Sequence, residues 1–189
     1  MLFNSFEFLL FFVVYALGWS LVRGHSAARW LYIIGFSLFF YGWWDWRYLP
    51  LMVGTIFIDY FAGILIARYR QHGKLFLTVS LASNLLVLGY FKYFYFLASN
   101  SVSVLNLLGF DVVIAPNQII LPLGISFYTF QSMSYTINIY RREIQPTKNI
   151  LHFYSAVTFF PQLVAGPILR ARDILPQLVT FNVPGWWRW

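Results

Sequence analysis

The sequence contains no cysteine and few charged residues. The lack of cysteine excludes disulfide frameworks, cysteine-ligated zinc, iron–sulfur clusters and thiol nucleophiles. Only 10% of the 189 residues are charged, against about 25% in an ordinary soluble domain, whereas 60% are hydrophobic and 22% are aromatic. A soluble domain of this length buries about 70% of its surface and could not keep so many apolar side chains out of contact with water. The composition therefore excludes a soluble enzyme.

Internal repeats and the common soluble motifs are also missing. No period of about 20–50 residues recurs, which excludes solenoids. No inverted repeat is visible either, which argues against a transporter built from two related halves. The formal net charge is +7, but the thirteen Lys and Arg residues form neither a stripe nor a run, so no nucleic-acid partner is expected. There is no phosphate-binding loop and no nucleophile elbow.

Six apolar stretches have about the length needed to cross a bilayer. A helix rises 1.5 Å per residue and the hydrocarbon layer is about 30 Å thick, so about 20 residues suffice. The stretches cover residues 2–22, 30–46, 48–67, 75–96, 119–140 and 150–169. Residues 101–116 are shorter and contain Asp111, which favours an interfacial segment or a loop. The predicted fold is an all-α polytopic membrane protein with about six membrane segments, the last two irregular.

Basic residues between the apolar stretches predict the orientation, because an excess of Lys and Arg marks the cytoplasmic side. The loops after the first, third and fifth stretches contain Arg23, Arg29, Arg68, Arg70, Lys74, Arg141, Arg142 and Lys148. The other loops contain Arg47, Arg170, Arg172 and Arg188. The N-terminus is therefore predicted outside, with the first, third and fifth loops in the cytoplasm.

Helix breakers and polar side chains mark residues 121–138. Pro122 and Gly124 predict a helix that begins at membrane depth. Four polar side chains then fall on one face of this helix: Tyr128, Gln131, Tyr135 and Asn138. A polar stripe on an apolar helix must face protein or water. Two interpretations stay open, namely hydrogen bonding between helices and a substrate pathway.

A second broken segment covers residues 159–170. Pro161, Gly166 and Pro167 cannot lie in one unbroken helix, since a proline costs about 3 kcal/mol in a helix interior. The segment is therefore predicted to be a kinked or re-entrant element beside a cavity. Seven residues of the two segments are the candidates to line an internal passage: Tyr128, Gln131, Asn138, Pro161, Gln162, Gly166 and Pro167.

Asp59, Lys92 and the three histidines are the remaining candidates for chemistry. Asp59 lies near the middle of the third stretch and could be a proton relay or a structural acceptor; without a second acid one turn away, the acceptor role is favoured. His25 and His72 lie in basic loops, and His152 opens the sixth stretch, where a hydrogen-bonded structural role is favoured. Lys92 can extend to the surface. No metal site is expected.

Two motifs in the last third resemble the membrane-bound O-acyltransferase family. They read LPLGISFYTFQ at 121–131 and FFPQLVAGPI at 159–168. The resemblance is greatest to the bacterial branch that O-acetylates alginate and peptidoglycan. With LFNS at 2–5 and IDY at 58–60, it covers about residues 1–176.

This resemblance implies transfer of an acyl group, usually acetyl, through a tunnel in the bacterial cytoplasmic membrane. The donor would be acetyl-CoA or another cytoplasmic acyl thioester, and the acceptor a hydroxyl of a cell-envelope polysaccharide at the outer face. No bound cofactor is implied. A periplasmic acyltransferase is the partner that such proteins commonly use. A histidine near the narrow point of the tunnel would act as the base.

The family's histidine is expected beyond the end of this sequence. Members are usually more than twice as long, and the histidine lies in a later Trp-Arg-Arg-Trp-His type motif. WWRW at 186–189 is similar only superficially, since no histidine follows. Residues 1–179 are therefore expected to be the N-terminal part of one domain, with 180–189 an atypical tail. The C-terminal half would be a partner, and the chain alone would be inactive.

A second hypothesis is a non-enzymatic polytopic membrane protein, such as a transporter or an assembly scaffold. It is motivated by the polar stripe and by the absence of a candidate base. A reading frame that continues past Trp189 into the histidine motif would favour the enzyme instead.

Overall fold

The chain forms a bundle of α-helices, and the computed structural model describes residues 4–22, 24–110, 122–165 and 173. No strand occurs within these residues, which confirms the all-α prediction for them. Two short 3₁₀ helices, Trp46–Tyr48 and Arg70–His72, occupy turns of the chain. The α-helices are α1 (Phe6–Val22), α2 (Ser26–Asp45), α3 (Leu49–Arg68), α4 (Gly73–Leu107), α5 (Ile125–Tyr140), α6 (Ile150–Thr158) and α7 (Phe160–Ala165).

Side-chain contacts show that the first four helices alternate in direction. In the α1–α2 and α3–α4 pairs, residues early in one helix contact residues late in the other. Between α1 and α2, Phe8 contacts Phe40 and Tyr15 contacts Tyr32. Between α3 and α4, Tyr48 just before α3 contacts Phe91, and Asp59 contacts Ser80. The direction of α3 relative to α2 follows from α6, which contacts both helices.

The short helix α6 runs parallel to α2 and antiparallel to α3. On the α2 side, Trp30 contacts His152 and Ser37 contacts Phe160. On the α3 side, the contacts are Tyr60 with Lys148 and Tyr154 with Val53. Helices α2 and α3 therefore form an antiparallel pair, and the chain reverses at Trp46–Tyr48.

The three turns that the sequence predicts to be cytoplasmic lie at one end of the bundle. Arg70 reaches the last turn of α5, and Trp30 near the start of α2 contacts His152 near the start of α6. We call this the basic end, since its described Lys and Arg residues are Arg29, Arg68, Arg70, Lys74, Arg141, Arg142 and Lys148. The opposite end contains Trp46–Tyr48 and the starts of α1 and α5.

Apolar helices with exposed apolar surfaces give the described part of the chain the character of a membrane protein. Two continuous helical stretches, 27–68 and 70–94, are long and apolar enough to cross a membrane. The first of them includes both α2 and α3. Leu17 and Leu86 are 68% and 73% exposed, as suits contact with lipid. The total of six membrane segments stays a prediction.

Helix α4 is longer than the sequence predicts. The fourth apolar stretch was expected to end at residue 96, with an interfacial segment or loop over 101–116, but α4 continues to Leu107. No Pro or Gly interrupts residues 97–107, and polar side chains there bond back to the preceding turn, as Asn100 does to Phe96 O. The expectation of a loop is therefore wrong for 101–107, and residues 111–116 lie outside the described residues.

Both predicted helix breaks are present. Helix α5 begins at Ile125, directly after Gly124, whose φ of +66° is in the left-handed region. Helix α6 ends at Thr158 and α7 starts at Phe160, so the break falls at Phe159. Pro161 then lies in the first turn of α7, where its missing N–H is tolerated. The kink predicted for residues 159–170 is confirmed within 159–165.

The two broken segments pack against each other through Gly124. A Cβ atom added to Gly124 would lie 2.8 Å from the backbone oxygen of Leu163 in α7. Only glycine permits this approach, and only glycine adopts the left-handed φ without a steric penalty. The contact therefore links the start of α5 directly to α7.

We expect Gly124→Ala to destabilise the bundle, because the new Cβ meets both penalties at once. The left-handed conformation alone costs about 1–2 kcal/mol for a residue with a Cβ. Thermal unfolding in detergent should show a clear loss. Gly89→Ala in α4 is the matched control, since a Cβ at Gly89 has no neighbour within 4 Å and alanine favours the helix. Equal melting temperatures for the two variants would contradict the proposed contact.

Candidate functional site

A buried carboxylate, Asp59, joins three helices in the middle of the bundle. It is fully buried and accepts hydrogen bonds from Ser80 Oγ of α4 at 2.6 Å, from Asn84 Nδ2 at 2.7 and 2.9 Å, and from Ser132 Oγ of α5. Ser80 Oγ also lies 3.0 Å from Thr136 Oγ1. Hydroxyl and amide donors thus surround the carboxylate, as the favoured role of structural acceptor requires.

The hydrogen-bond partners of Asp59 were not predicted from the sequence, although their helical spacing is visible in it. Ser80 and Asn84 are spaced i and i+4, so they lie on one face of α4, and Ser132 lies one residue beyond Gln131 of the polar stripe. A pair of polar residues at helical spacing inside an apolar stretch indicates a buried partner on another helix. Only the fold shows that this partner is Asp59.

The polar stripe of α5 faces protein along its whole length. Tyr128 and Tyr135 are fully buried, and Gln131 and Asn138 are nearly so. Gln131 Nε2 donates to Ala156 O at 3.0 Å, and Tyr135 Oη accepts from Thr147 N–H at 3.1 Å. Asn138 lies about 15 Å along the helix from Tyr128, at the basic end. Gln131 and Tyr135 thus bond to neighbouring parts of the chain, and the four residues of the stripe do not converge on one point.

Two candidates of the second broken segment, Pro161 and Gln162, lie at the opposite end of the bundle. Pro161 is half-buried and Gln162 is buried in α7. Ser37 Oγ accepts from Phe160 N–H at 3.2 Å, so α2 provides a partner for a backbone donor at the start of α7. Gly166 and Pro167 lie outside the described residues.

Several buried polar atoms at the opposite end lack a strong hydrogen-bond partner, among them the Oε1 atom of Gln162. Tyr41 and Tyr128 are both fully buried and belong to one core cluster. Their hydroxyls lie near enough to bond to each other, and neither has another partner. An unpaired buried polar group costs about 1–3 kcal/mol, so such groups in a native protein call for an explanation. Sequence reasoning missed Tyr41, because one more aromatic residue in an aromatic-rich helix gives no signal.

Three cavities are described, and none of them is lined by Tyr41, Tyr128 or Gln162, although one of about 360 Å³ includes Leu38 and Gly42 beside Tyr41. A groove of about 680 Å³ runs between α1 and α2 and is lined almost wholly by apolar side chains. A polar pocket of about 260 Å³ lies at the basic end. The passage between the two proline-containing segments, with its seven wall residues, stays a prediction.

The histidines lie at the basic end, far from Tyr41 and Tyr128. His25 and His72 are exposed in the turns of that end. The ring of His152 packs against Trp30 with 4.7 Å between centroids, and its Nε2 atom lies 3.4 Å from Asn149 Nδ2. Among the residues that the structure describes, no group of three or more His, Asp or Glu side chains could hold a metal ion.

We expect Asp59→Asn to destabilise the chain by about 1–3 kcal/mol, because the new amide places donors against the donors of Ser80, Ser132 and Asn84. Thermal unfolding in detergent measures this loss. Asp45→Asn is the matched control, since Asp45 pairs with the exposed Arg47 at the bundle surface and its loss should change little. A stability of Asp59→Asn equal to that of the control would show that the buried network contributes nothing.

Comparison with known proteins finds relatives that match nearly the whole chain. A probable alginate O-acetylase of Azotobacter vinelandii is 36% identical over 182 residues, which covers 94% of this chain and 36% of the relative. A probable alginate O-acetylase of Pseudomonas aeruginosa is 35% identical, with 94% and 34% covered. A peptidoglycan O-acetyltransferase of Helicobacter pylori is 32% identical, with 80% and 33% covered.

The chain spans about one third of the length of these curated relatives. No protein-family model and no solved structure matches it. The matches nevertheless run through the helices, the Asp59 site and both broken segments, since they cover almost all of the sequence. Over the part that it spans, the chain is similar to these acetylases, as its resemblance to the membrane-bound O-acyltransferase family predicts.

Proposed function

We propose that the chain is part of an enzyme that transfers an acetyl group to a hydroxyl of a cell-envelope polysaccharide such as alginate or peptidoglycan. The observation that carries the proposal is the similarity of 94% of the chain to probable alginate O-acetylases, at up to 36% identity. The acyl donor is a cytoplasmic thioester, acetyl-CoA or another. The acetyl group passes through the membrane and is handed to a periplasmic acyltransferase partner.

In this proposal the described helices supply part of the wall of the acyl passage. The hydroxyls of Tyr41 and Tyr128 are buried and have no protein partner other than each other, so one of their two donors is free for a carbonyl oxygen. Gln162 Oε1 is a buried acceptor near the same end. The base is a histidine in the remaining two thirds of the protein, since His25, His72 and His152 lie at the basic end.

The proposed location is the bacterial cytoplasmic membrane, with the basic end in the cytoplasm and the N-terminus outside. The asymmetry of Lys and Arg supports this orientation. The opposite end then faces the periplasm, where a partner acyltransferase would receive the acetyl group.

Acetyl transfer tests the function directly. The long protein that contains these residues should restore polysaccharide acetylation in a bacterium that lacks its own acetylase, measured as acetate released by mild base. The 189-residue chain alone should restore none. The proposal fails if the long protein leaves the polysaccharide unacetylated, or if the short chain acetylates it.

If Tyr128 lines the acyl passage, loss of its hydroxyl should lower acetylation without lowering protein abundance in the same assay. Tyr128→Phe removes a hydroxyl whose one protein partner is the hydroxyl of Tyr41, so protein abundance should change little while acetylation falls. Tyr154→Phe is the matched control, because its hydroxyl donates to Val53 O at 2.6 Å and its loss should lower abundance. Full acetylation by Tyr128→Phe would rule out a role of this hydroxyl in transfer.

The orientation can be tested by labelling single cysteines, because the sequence has none of its own. Asn100→Cys lies on the exposed part of α4 beyond the start of α3, and Gln71→Cys lies in the exposed turn at the basic end. A membrane-impermeant maleimide should label Asn100→Cys on intact spheroplasts, and Gln71→Cys only after permeabilisation. The reverse pattern would invert the proposed topology.

A further inference from the structure

A polar pocket lies at the basic end, where α3, α4 and α5 meet. Its volume is about 260 Å³, and its lining residues are Ile66, Arg70, Gly73, Tyr140 and Arg142. Two of the five are arginines, and Ile66 and Gly73 form a buried floor. The pocket therefore combines a cationic rim with a closed base.

The backbone of Arg142 adopts a conformation that favours glycine. Its φ is +65°, and the turn around it is a Schellman motif, with Glu143 N–H donating to Asn138 O at 2.9 Å and Arg142 N–H donating to Ile139 O at 3.0 Å. Glycine is the usual residue at this position because a Cβ is strained there. The motif itself does not require an arginine side chain, so the guanidinium calls for another explanation.

Arg70 is fixed beside the same turn. Its Nη1 atom donates to Ile139 O at 3.3 Å, the carbonyl that also accepts from Arg142 N–H. Neither guanidinium has a carboxylate partner among the described residues. Lys74 follows in the first turn of α4, a 35-residue helix whose N-terminus has no side-chain cap and adds partial positive charge. The lining is therefore cationic and includes no acidic residue, although Glu143 follows Arg142 in the chain.

We infer that this pocket binds the phosphate headgroup of an anionic phospholipid, held by Arg70 and Arg142. Arginine forms paired, charge-assisted hydrogen bonds with phosphate oxygens. The pocket lies where α3 and α5 end and α4 begins, and for helices that cross a bilayer this is the level of the headgroups. A headgroup there would join the turn after α3 to the turn after α5. This inference does not depend on the proposed acetyl transfer.

Lipid binding can be measured on the purified chain. Thermal unfolding in a neutral detergent is followed while phosphatidylglycerol, phosphatidylcholine or inorganic phosphate is added. Phosphatidylglycerol should stabilise the chain more than phosphatidylcholine does. Arg142→Gly and Arg70→Gln should each weaken its apparent affinity about fivefold, the effect of one cation beside an anionic headgroup.

Arg142→Gly also separates the lipid site from the fold. Glycine suits the left-handed turn, so the lipid-free melting temperature should stay equal or rise while the phosphatidylglycerol response falls. Arg141→Gln is the matched control, because Arg141 is exposed in the same turn but does not line the pocket, and it should keep the full response.

Three results would overturn the inference. An equal response of Arg141→Gln and Arg142→Gly would indicate diffuse attraction by the basic end without a pocket. Equal stabilisation by phosphatidylglycerol and phosphatidylcholine would exclude recognition of the anion. Stabilisation by inorganic phosphate as strong as that by phosphatidylglycerol would assign the pocket to a soluble phosphate group.

Discussion

The hydrogen bonds to Asp59 fix how α3, α4 and α5 meet. Helices in a membrane gain little from burying apolar side chains, because lipid is equally apolar, so close packing and polar contacts determine their register. Gly63, one turn after Asp59, allows α5 to approach α3 so closely that a Cβ there would lie 2.7 Å from the ring of Tyr135. This approach places Ser132 against the carboxylate. A shift of α5 by one turn would remove both contacts.

The breaks in the later helices depend on neighbours in the same way. A backbone donor freed at the start of α7 needs a partner that lipid cannot provide, and Ser37 of α2 provides it. Gly124 lets Leu163 O approach the start of α5, which joins the two broken segments into one unit. The irregular part of the chain is thus held by the regular helices around it.

The sequence predicts local backbone features well and contacts between helices poorly. Pro122 with Gly124 and Pro161 act on their own backbone, so the start of α5 and the kink before α7 are visible in the sequence. The length of α4 was misjudged because apolar content ends near residue 96, whereas helix formation continues through Ser and Asn that bond to their own helix. The sequence does not reveal the roles of Tyr41 and Arg142. The burial of the Tyr41 hydroxyl and the left-handed φ of Arg142 both depend on how the helices pack.

The two ends of the bundle offer different chemistry. At the basic end, guanidinium groups surround a small polar pocket, which suits recognition of an anion by charge. At the opposite end, the buried hydroxyls of Tyr41 and Tyr128 carry no charge and have no partner other than each other, which suits recognition of a neutral carbonyl or hydroxyl. An acyl group bonded to a neutral acceptor offers only such a carbonyl oxygen, so guanidinium groups would give it little. The anionic headgroup proposed at the basic end and the acyl group proposed at the opposite end therefore need different contacts, and the bundle provides them at separate places.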